Sequence, residues 1–406
     1  MNGRGRKEAA GGRQIGGRER VGGGRREQDR GEKERTLRHG GRYKWLWITT
    51  IFHGLTVEMV SYWVPDIDSF WHGQTMVMFL GQRLPLYVML VYPSFIYTAS
   101  AAVAHMKLKW WAEPFAIGVS VVLLDIPFDI LGIKFLWWTW HDTDPNVYDR
   151  HYWVPWTSYY FHATFACGFT FAFHGIRKLI SSEKDKFTSA GFFRELITSV
   201  LTGLLGMPLG VIQFLPLYHP LHDSNNIHTE VCVCLFFAVY VMIIWTGDRQ
   251  KAKELAMQSS TNSSPRKNRF LNELVLGVLL HYSFYVYLVF TTKPENIVSY
   301  GLHEPVGPCH EKVPITTAFG HVLEKNKYLC LNNYDEAIFD FHCIDKKNLP
   351  SPTQEWYTVC GTKYPNHTEY IIIICGFCAF GLYYYLQLLM FSYALPRPRT
   401  VKPKQS

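Results

Sequence analysis

The sequence predicts an all-α fold, a polytopic bundle of about eight transmembrane helices, from three observations. Apolar residues are bunched into separate runs of about the 20 residues needed to cross a hydrocarbon core, although the mean hydropathy over the chain is only −0.04. Many of the 13 tryptophans stand at the edges of those runs, where a ring with an apolar body and a polar tip suits the headgroup level. The formal charge of +8 sits mainly in the tails and alternate loops, so membrane position explains it better than nucleic acid does.

Taken in order, residues 1–44 are rich in Gly, Arg and Glu and almost free of apolar side chains. Such a segment cannot bury enough surface to offset its chain entropy and is expected to be a disordered basic tail. Its Arg-Gly composition could bind RNA or anionic lipid, but a solvated tail that directs insertion is the simpler reading, and nucleic acid is not an expected partner. No cleavable signal peptide is expected; the first apolar run would act as an uncleaved signal-anchor. The runs lie at 45–64, 84–104, 111–136, 156–176, 192–216, 228–246, 270–290 and 370–394. The fifth contains Gly203, Gly206, Pro208, Gly210 and Pro216, which predicts a kink inside the bundle.

The connections fix an expected orientation. With the amino terminus in the cytosol, the cytosolic loops carry Lys107 and Lys109, then Arg177, Lys178 and Lys186, then Arg249 and Arg269. The tail 395–406 adds Arg397, Arg399, Lys402 and Lys404, whereas the short outer loops hold little beyond Arg83 and Arg150. Positive charge stays on the cytosolic side during insertion, so both termini are expected there. The long connection 291–369 contains Cys309, Cys330, Cys343 and Cys360 and the glycan acceptor pattern Asn366-His367-Thr368. Both features belong in the oxidising lumenal or extracellular space. Two disulfides would allow three connectivities, which sequence leaves open. Cys167, Cys232, Cys234, Cys375 and Cys378 fall inside runs and read as small apolar packers, despite the redox-like spacing of Cys375 and Cys378. The expected organisation is therefore a tail (1–44), a seven-helix core (45–290), a Cys-containing outer loop (291–369), an eighth helix (370–394) and a second tail (395–406). Lys402 and Lys404 resemble a dilysine retrieval signal, which favours the endoplasmic reticulum over the plasma membrane.

Candidate chemistry lies in the polar side chains that interrupt the runs, because an Asp at the centre of a span costs about 2.5–3.5 kcal/mol on insertion scales. They are His53 and Glu58 in the first run, Asp125 and Asp129 in the third, His162 and His174 in the fourth, and His281 in the seventh. Asp125 and Asp129 share one helical face one turn apart, with Pro127 between them. Two close carboxylates in a low dielectric resist ionising together, which suits acid/base work, proton relay or cation binding. The structural alternative pairs them with Arg150, His162 or the hydroxyls of Tyr159 and Tyr160. Glu58, Asp129 and His162 are expected at similar depth toward the outer face, below His72, His141, Asp142, Asp144, Asp149, His151 and Asp223. Asp125, Asp129, Glu58 and His162 are thus the candidate catalytic set. His219, His222 and His228 are candidate ligands for a divalent metal, since imidazole and carboxylate suit zinc or iron. Their spacing matches no zinc-binding helix and no paired-His box of di-iron hydroxylases. Trp137-Trp138-Thr139-Trp140 reads as an interfacial belt or, more sharply, as an aromatic wall for a lipid-like substrate. His53, His174 and His281 read as interhelical hydrogen-bond partners.

The chain as a whole resembles an uncharacterised family of animal multi-pass membrane proteins, a domain of unknown function, which brings no activity with it. Residues 125–171, an acidic Pro-containing span leading to Trp138-Thr139-Trp140 and then Val154-Pro155, are also similar to carotenoid hydratases. The hydratases lack the long Cys-containing loop, so their reaction type is not carried over. Three roles stay open: a lumen-facing enzyme on a lipid-like substrate, a proton- or cation-coupled transporter or channel, and a receptor or assembly factor. A polar cavity closed toward the cytosol would favour the enzyme; a polar path through His281 would favour transport. Oligomeric state is not readable.

Overall fold

Eight long helical segments stand at the eight predicted runs, and they differ in what each has to bury. The computed structural model describes residues 41–64, 67–141, 148–182, 186, 188–258 (backbone alone from 250), 273–316, 320, 322–331 and 338–391. Residues 1–40 of the expected tail 1–44, the end of the expected eighth helix from 392, the whole tail 395–406 with Lys402 and Lys404, and the loop acids Asp142 and Asp144 lie outside the described residues. The helices are α1 (Tyr43–Trp63), α2 (Leu86–Met106), α3 (Glu113–Lys134), α4 (Trp156–Ile180), α5 (Phe192–Asn225), α6 (Thr229–Gln258), α7 (Glu273–Thr291) and α8 (His367–Leu386). α2 is interrupted by a π-helical turn at Pro93–Tyr97, as a proline inside a helix demands.

Six of these segments are long and apolar enough to cross a membrane; α1 and α4 are long enough but too polar. Of the eight expected spans, six therefore meet that measure and these two fall short of it. α1 buries Thr49, Thr50, His53, Glu58 and Ser61, and α4 buries Thr157, Ser158, Thr164 and Thr170. Their polarity faces the protein interior, where a hydrogen-bonding side chain has partners that lipid cannot offer. Counting only the six, the disulfide-bonded segment falls between the fifth and sixth rather than the seventh and eighth. The predicted boundaries also shift: α5 continues nine residues past 216, through Pro216 and Pro220 to Asn225, and α6 runs into the expected polar loop as far as Gln258.

Consecutive helices alternate in direction, so the bundle has two unlike ends. At one, which we call the basic end, the starts of α1 and α5 meet through Arg42 and Glu195. The other, the loop end, carries short strands and the disulfide-bonded segment. There Phe70–His72 pairs antiparallel with Trp138–Trp140, and Gly73 bridges to Gly301. The segment itself holds a three-stranded sheet, with Trp356–Gly361 between Phe339–Asp340 and Val298–Leu302, and a hairpin of Lys312–Thr316 with Val322–Asn326. Cys309–Cys330 closes the base of the hairpin and Cys343–Cys360 ties the sheet to the following turn, with Cα separations of 4.9 and 5.9 Å. Of the three connectivities left open, the structure takes the sequential one.

Close helix approach in the core depends on small residues. A Cβ on Gly168 of α4 would come within 2.5 Å of the Gly206 carbonyl oxygen of α5, so the two backbones touch where larger residues would hold them apart. Ahead of α4, the hairpin Arg150–His151/Val154–Pro155 turns through Tyr152 and Trp153, both at positive φ (50° and 67°). Two bulky residues in that region cost about 1–2 kcal/mol each. Packing holds them: the Tyr152 ring lies edge-on to Tyr370 with centroids 5.0 Å apart, and its hydroxyl donates to Glu369. That turn sets where α4 begins and which way its first two turns face.

Candidate functional site

The loop-end half of the bundle encloses a cavity of about 480 Å³. Its wall is mostly apolar, from Val88, Val91, Phe95, Phe128, Phe161, Phe165 and Met207, and its mouth is edged by Val64, Ile67, Ile315 and Thr316. Glu58, Asp129, His162, His72, His53 and His219 supply the polar part, and no lysine or arginine lines it among the described residues. Ile315, on an otherwise exposed strand, is 4 % exposed because it turns into this mouth.

Three groups meet on one wall. Asp125 and Asp129 come from consecutive turns of α3, and His162 from α4. One ligand atom from each lies within 4.8 Å of the other two, a spacing that can hold a divalent metal ion. His162 Nε2 is 3.4 Å from Asp125 Oδ1. Asp125 is fully buried, and apart from the adjacent Asp129 carboxyl neither of its oxygens has a hydrogen-bond partner. Asp129 accepts from Ser158 Oγ at 2.8 Å. Beside them, Glu58 of α1 accepts from the Tyr92 hydroxyl at 2.8 Å, and its other oxygen is 3.5 Å from His72 Nε2. Such buried acids and imidazoles can coordinate a metal or act catalytically.

Of the expected catalytic set, Glu58, Asp129 and His162 line the cavity, and Asp125 stands behind His162. Of the other partners considered for the acids, the buried Tyr159 hydroxyl makes no hydrogen bond among the described residues and the remaining two go elsewhere. Arg150 donates to the His141 carbonyl at 2.8 Å, and the Tyr160 hydroxyl is directed to carbonyls of α5 at 3.4 Å. Ser158, His72 and Tyr92 were not singled out as site residues. Ser158 precedes His162 by four residues on a helix, so its shared face was readable; Tyr92 carried no such signal. Of the two readings of the Trp137–Trp140 motif, the aromatic wall fits the structure: residues 138–140 form a strand, with Trp138 and Trp140 in the cavity wall.

His219, His222 and His228 do not converge on one point. They are strung along two carboxylates: His219 and His222 each contact Asp223 through Nδ1, at 2.5 and 2.8 Å. His222 and His228 then flank Asp149 at 3.6 and 3.2 Å. Burial raises the Asp149 carboxyl, but the Thr229 N–H and hydroxyl and the two imidazoles hold it below the usual range. A second candidate metal group, Asp340, His342 and Cys360, offers no thiolate because Cys360 is bonded to Cys343. Asn366 caps α8, its side chain accepting from the Glu369 N–H, a structural role that the glycan pattern does not reveal.

His53 lies against Phe169 and occupies the space a Cβ on Gly206 would need. His174 Nδ1 is 3.1 Å from Arg42, and His281 donates to the Leu124 carbonyl at 3.0 Å. Two further histidines lie where the disulfide-bonded segment docks. His303 packs on Trp71 and stacks on Tyr357 with centroids 3.8 and 4.4 Å away. Burial, with His141 nearby, holds it well below its ordinary value, and burial with Lys325, Arg83 and Arg150 lowers His141 to about 3.

The chain belongs to the family described as a domain of unknown function (DUF7802), which its residues 35–390 match. No curated protein and no solved structure matches it. The comparisons lend no support to a link with carotenoid hydratases or to restriction of the family to animals.

Proposed function

We propose that this family member is a membrane-embedded enzyme that takes a lipid-like substrate into its cavity and acts on it with intramembrane acids. Asp125 and Asp129 would form the acid pair, Asp129 meeting the substrate and Asp125 acting through it, with Glu58 and His162 assisting. One observation carries the reading: a largely apolar cavity of about 480 Å³ bears its acids and imidazoles together at the loop end. That volume suits an acyl or polyene chain, and the polar groups stand where a functional group on it would rest.

The arrangement favours an enzyme over a transporter. His281, through which a polar path would have to run, is spent on the Leu124 carbonyl and packed against Phe95, Tyr282 and Tyr285. Below the cavity the basic end is closed by ion pairs of Arg42 and Arg177 with Glu195 and of Lys186 with Glu113.

The same reading includes eight spans, both tails in the cytosol and the cavity open to the lumen. Charge bias, the paired cysteines of 291–369 and Asn366 as glycan acceptor support it, with the endoplasmic reticulum as the compartment. The domain division 1–44, 45–290, 291–369, 370–394 and 395–406 follows from that topology.

The test is purified protein in nanodiscs, incubated with a microsomal lipid extract and followed by mass spectrometry. A lipid consumed by the wild type and spared by Asp129→Asn supports the enzyme. Identical lipid profiles for wild type, Asp129→Asn and empty nanodiscs overturn it.

A further inference from the structure

We propose that Asp125, Asp129 and His162 form the binding site of a divalent transition metal, zinc or ferrous iron, whose open positions face the cavity. The inference deepens the reading above, on which it rests for the role of the site, but its evidence is separate.

The first part of that evidence is convergence. One atom from each of three side chains, drawn from two helices, lies within 4.8 Å of the others, and His162 Nε2 is 3.4 Å from Asp125 Oδ1. The 3.4 Å pair stands as two ligands do on a tetrahedral ion with bonds of about 2.0–2.2 Å, and the rest of the set, inside 4.8 Å, needs only a small side-chain shift to close on it. The second part is an unmet demand. Asp125 is 0 % exposed, and apart from the adjacent Asp129 carboxyl neither of its oxygens has a hydrogen-bond partner, although buried polar groups are almost always paired. No arginine or lysine among the cavity-lining residues balances the two carboxylates, whereas the buried Glu195 at the basic end has two arginines. A divalent cation supplies both the missing charge and the missing contacts.

The surroundings fit the donor set. Ser158 Oγ donates to Asp129 Oδ2 and so leaves Oδ1 for the ion, as outer partners of a metal carboxylate do. Two carboxylates and an imidazole suit zinc, iron or manganese rather than a soft cation. Three protein ligands leave a position for substrate or water, on the side where Asp129 and His162 line the cavity. The class of substrate this implies has an oxygen-bearing head, a carbonyl, ester or alcohol, on an apolar tail. The histidines at 219, 222 and 228 are not needed, because Asp223 and Asp149 already engage them.

The experiment measures metal directly. Full-length protein is purified from cells grown with zinc, iron and manganese, and metal per chain is determined by mass spectrometry. Metal-stripped protein is then titrated with Co(II). Expected are about one metal per chain, ligand-field absorption with Co(II), and loss of both in Asp125→Asn and His162→Gln. His219→Ala should keep its metal, and Ser158→Ala should weaken affinity about 10–100-fold. X-ray absorption of the wild type should show oxygen ligands with a single imidazole, a result that needs no variant to fold. Metal-free protein that also leaves Co(II) spectroscopically unchanged overturns the site, as does full metal retention in well-folded Asp125→Asn and His162→Gln. Bound metal without lipid turnover upholds the site and overturns only the enzyme reading. Turnover by chelator-stripped protein does the reverse.

Discussion

The two ends of this bundle bury the same kinds of charged side chain and treat them in opposite ways. At the basic end Glu195 is 0 % exposed, yet Arg42 Nε is 3.2 Å from one oxygen and Arg177 Nε 3.5 Å from the other. Arg42 also donates to the Phe173 carbonyl at 2.6 Å, and the cavity beside it is only about 30 Å³. At the loop end, Asp125 is equally buried but lacks hydrogen bonds beyond the adjacent Asp129 carboxyl, and its neighbours border a cavity of about 480 Å³. Burial of charge by itself therefore says little about function. A buried ion that is fully paired closes a structure; one left with only an imidazole and a second acid nearby, beside empty space, is held ready for something that binds.

The sharpest way to break this comparison is to make the same chemical change at both ends. Glu195→Gln strands two buried arginines and should cost about 3–5 kcal/mol, read as an earlier unfolding midpoint in detergent. If the variant melts with the wild type, the basic end is not the structural clamp described here. Removing Cys343 and Cys360 together comes next. A disulfide closing a loop of this length contributes about 3 kcal/mol, so proteolysis within 291–369 should become much faster while the helices stay protected. Compared in metal-stripped protein, so that a lost ligand does not enter, Asp125→Asn should have the smallest effect on stability and the opposite sign to Glu195→Gln, from no change to a gain of about 1 kcal/mol, because a site held for function is seldom optimal for folding. A loss as large as that of Glu195→Gln would make Asp125 structural and erase the contrast.

Acid sharpens the comparison from the docking surface. In an unfolded chain imidazoles take up protons below about pH 6.5, whereas burial keeps folded His141 neutral down to about 3. The unfolded state then binds more protons across that interval, so stability falls as pH drops from 6.5 toward 3. His303, shifted in the same direction, adds to it. Amide protection in 298–302 and 356–361, corrected for the slower intrinsic exchange at lower pH, should fall between pH 7 and 5, and His141→Gln should flatten the trend. An unchanged slope in that variant would remove His141 as its source.

Much of the bundle was legible in the order of residues, because length and apolarity of a run are local properties that the bilayer tests one segment at a time. The eight runs, the i, i+4 relation of Asp125 to Asp129 and the parity of the loop cysteines are all of that kind. Where the sequence fell short, the cause was also local. The polar residues of α1 and α4 gave no sign in the sequence that they face the interior, and the Trp138 motif left two readings open, of which its place in the cavity wall fits the aromatic wall. Tertiary structure alone decided which partners met: His162 with Asp125 across 37 positions, His72 with Glu58, and Arg42 with Glu195 across 153. A carboxylate looks the same in the chain whether an arginine or an empty cavity awaits it. Only the packing of helices against one another determines which it finds, since the energy of a buried charge depends on neighbours that the local sequence does not contain.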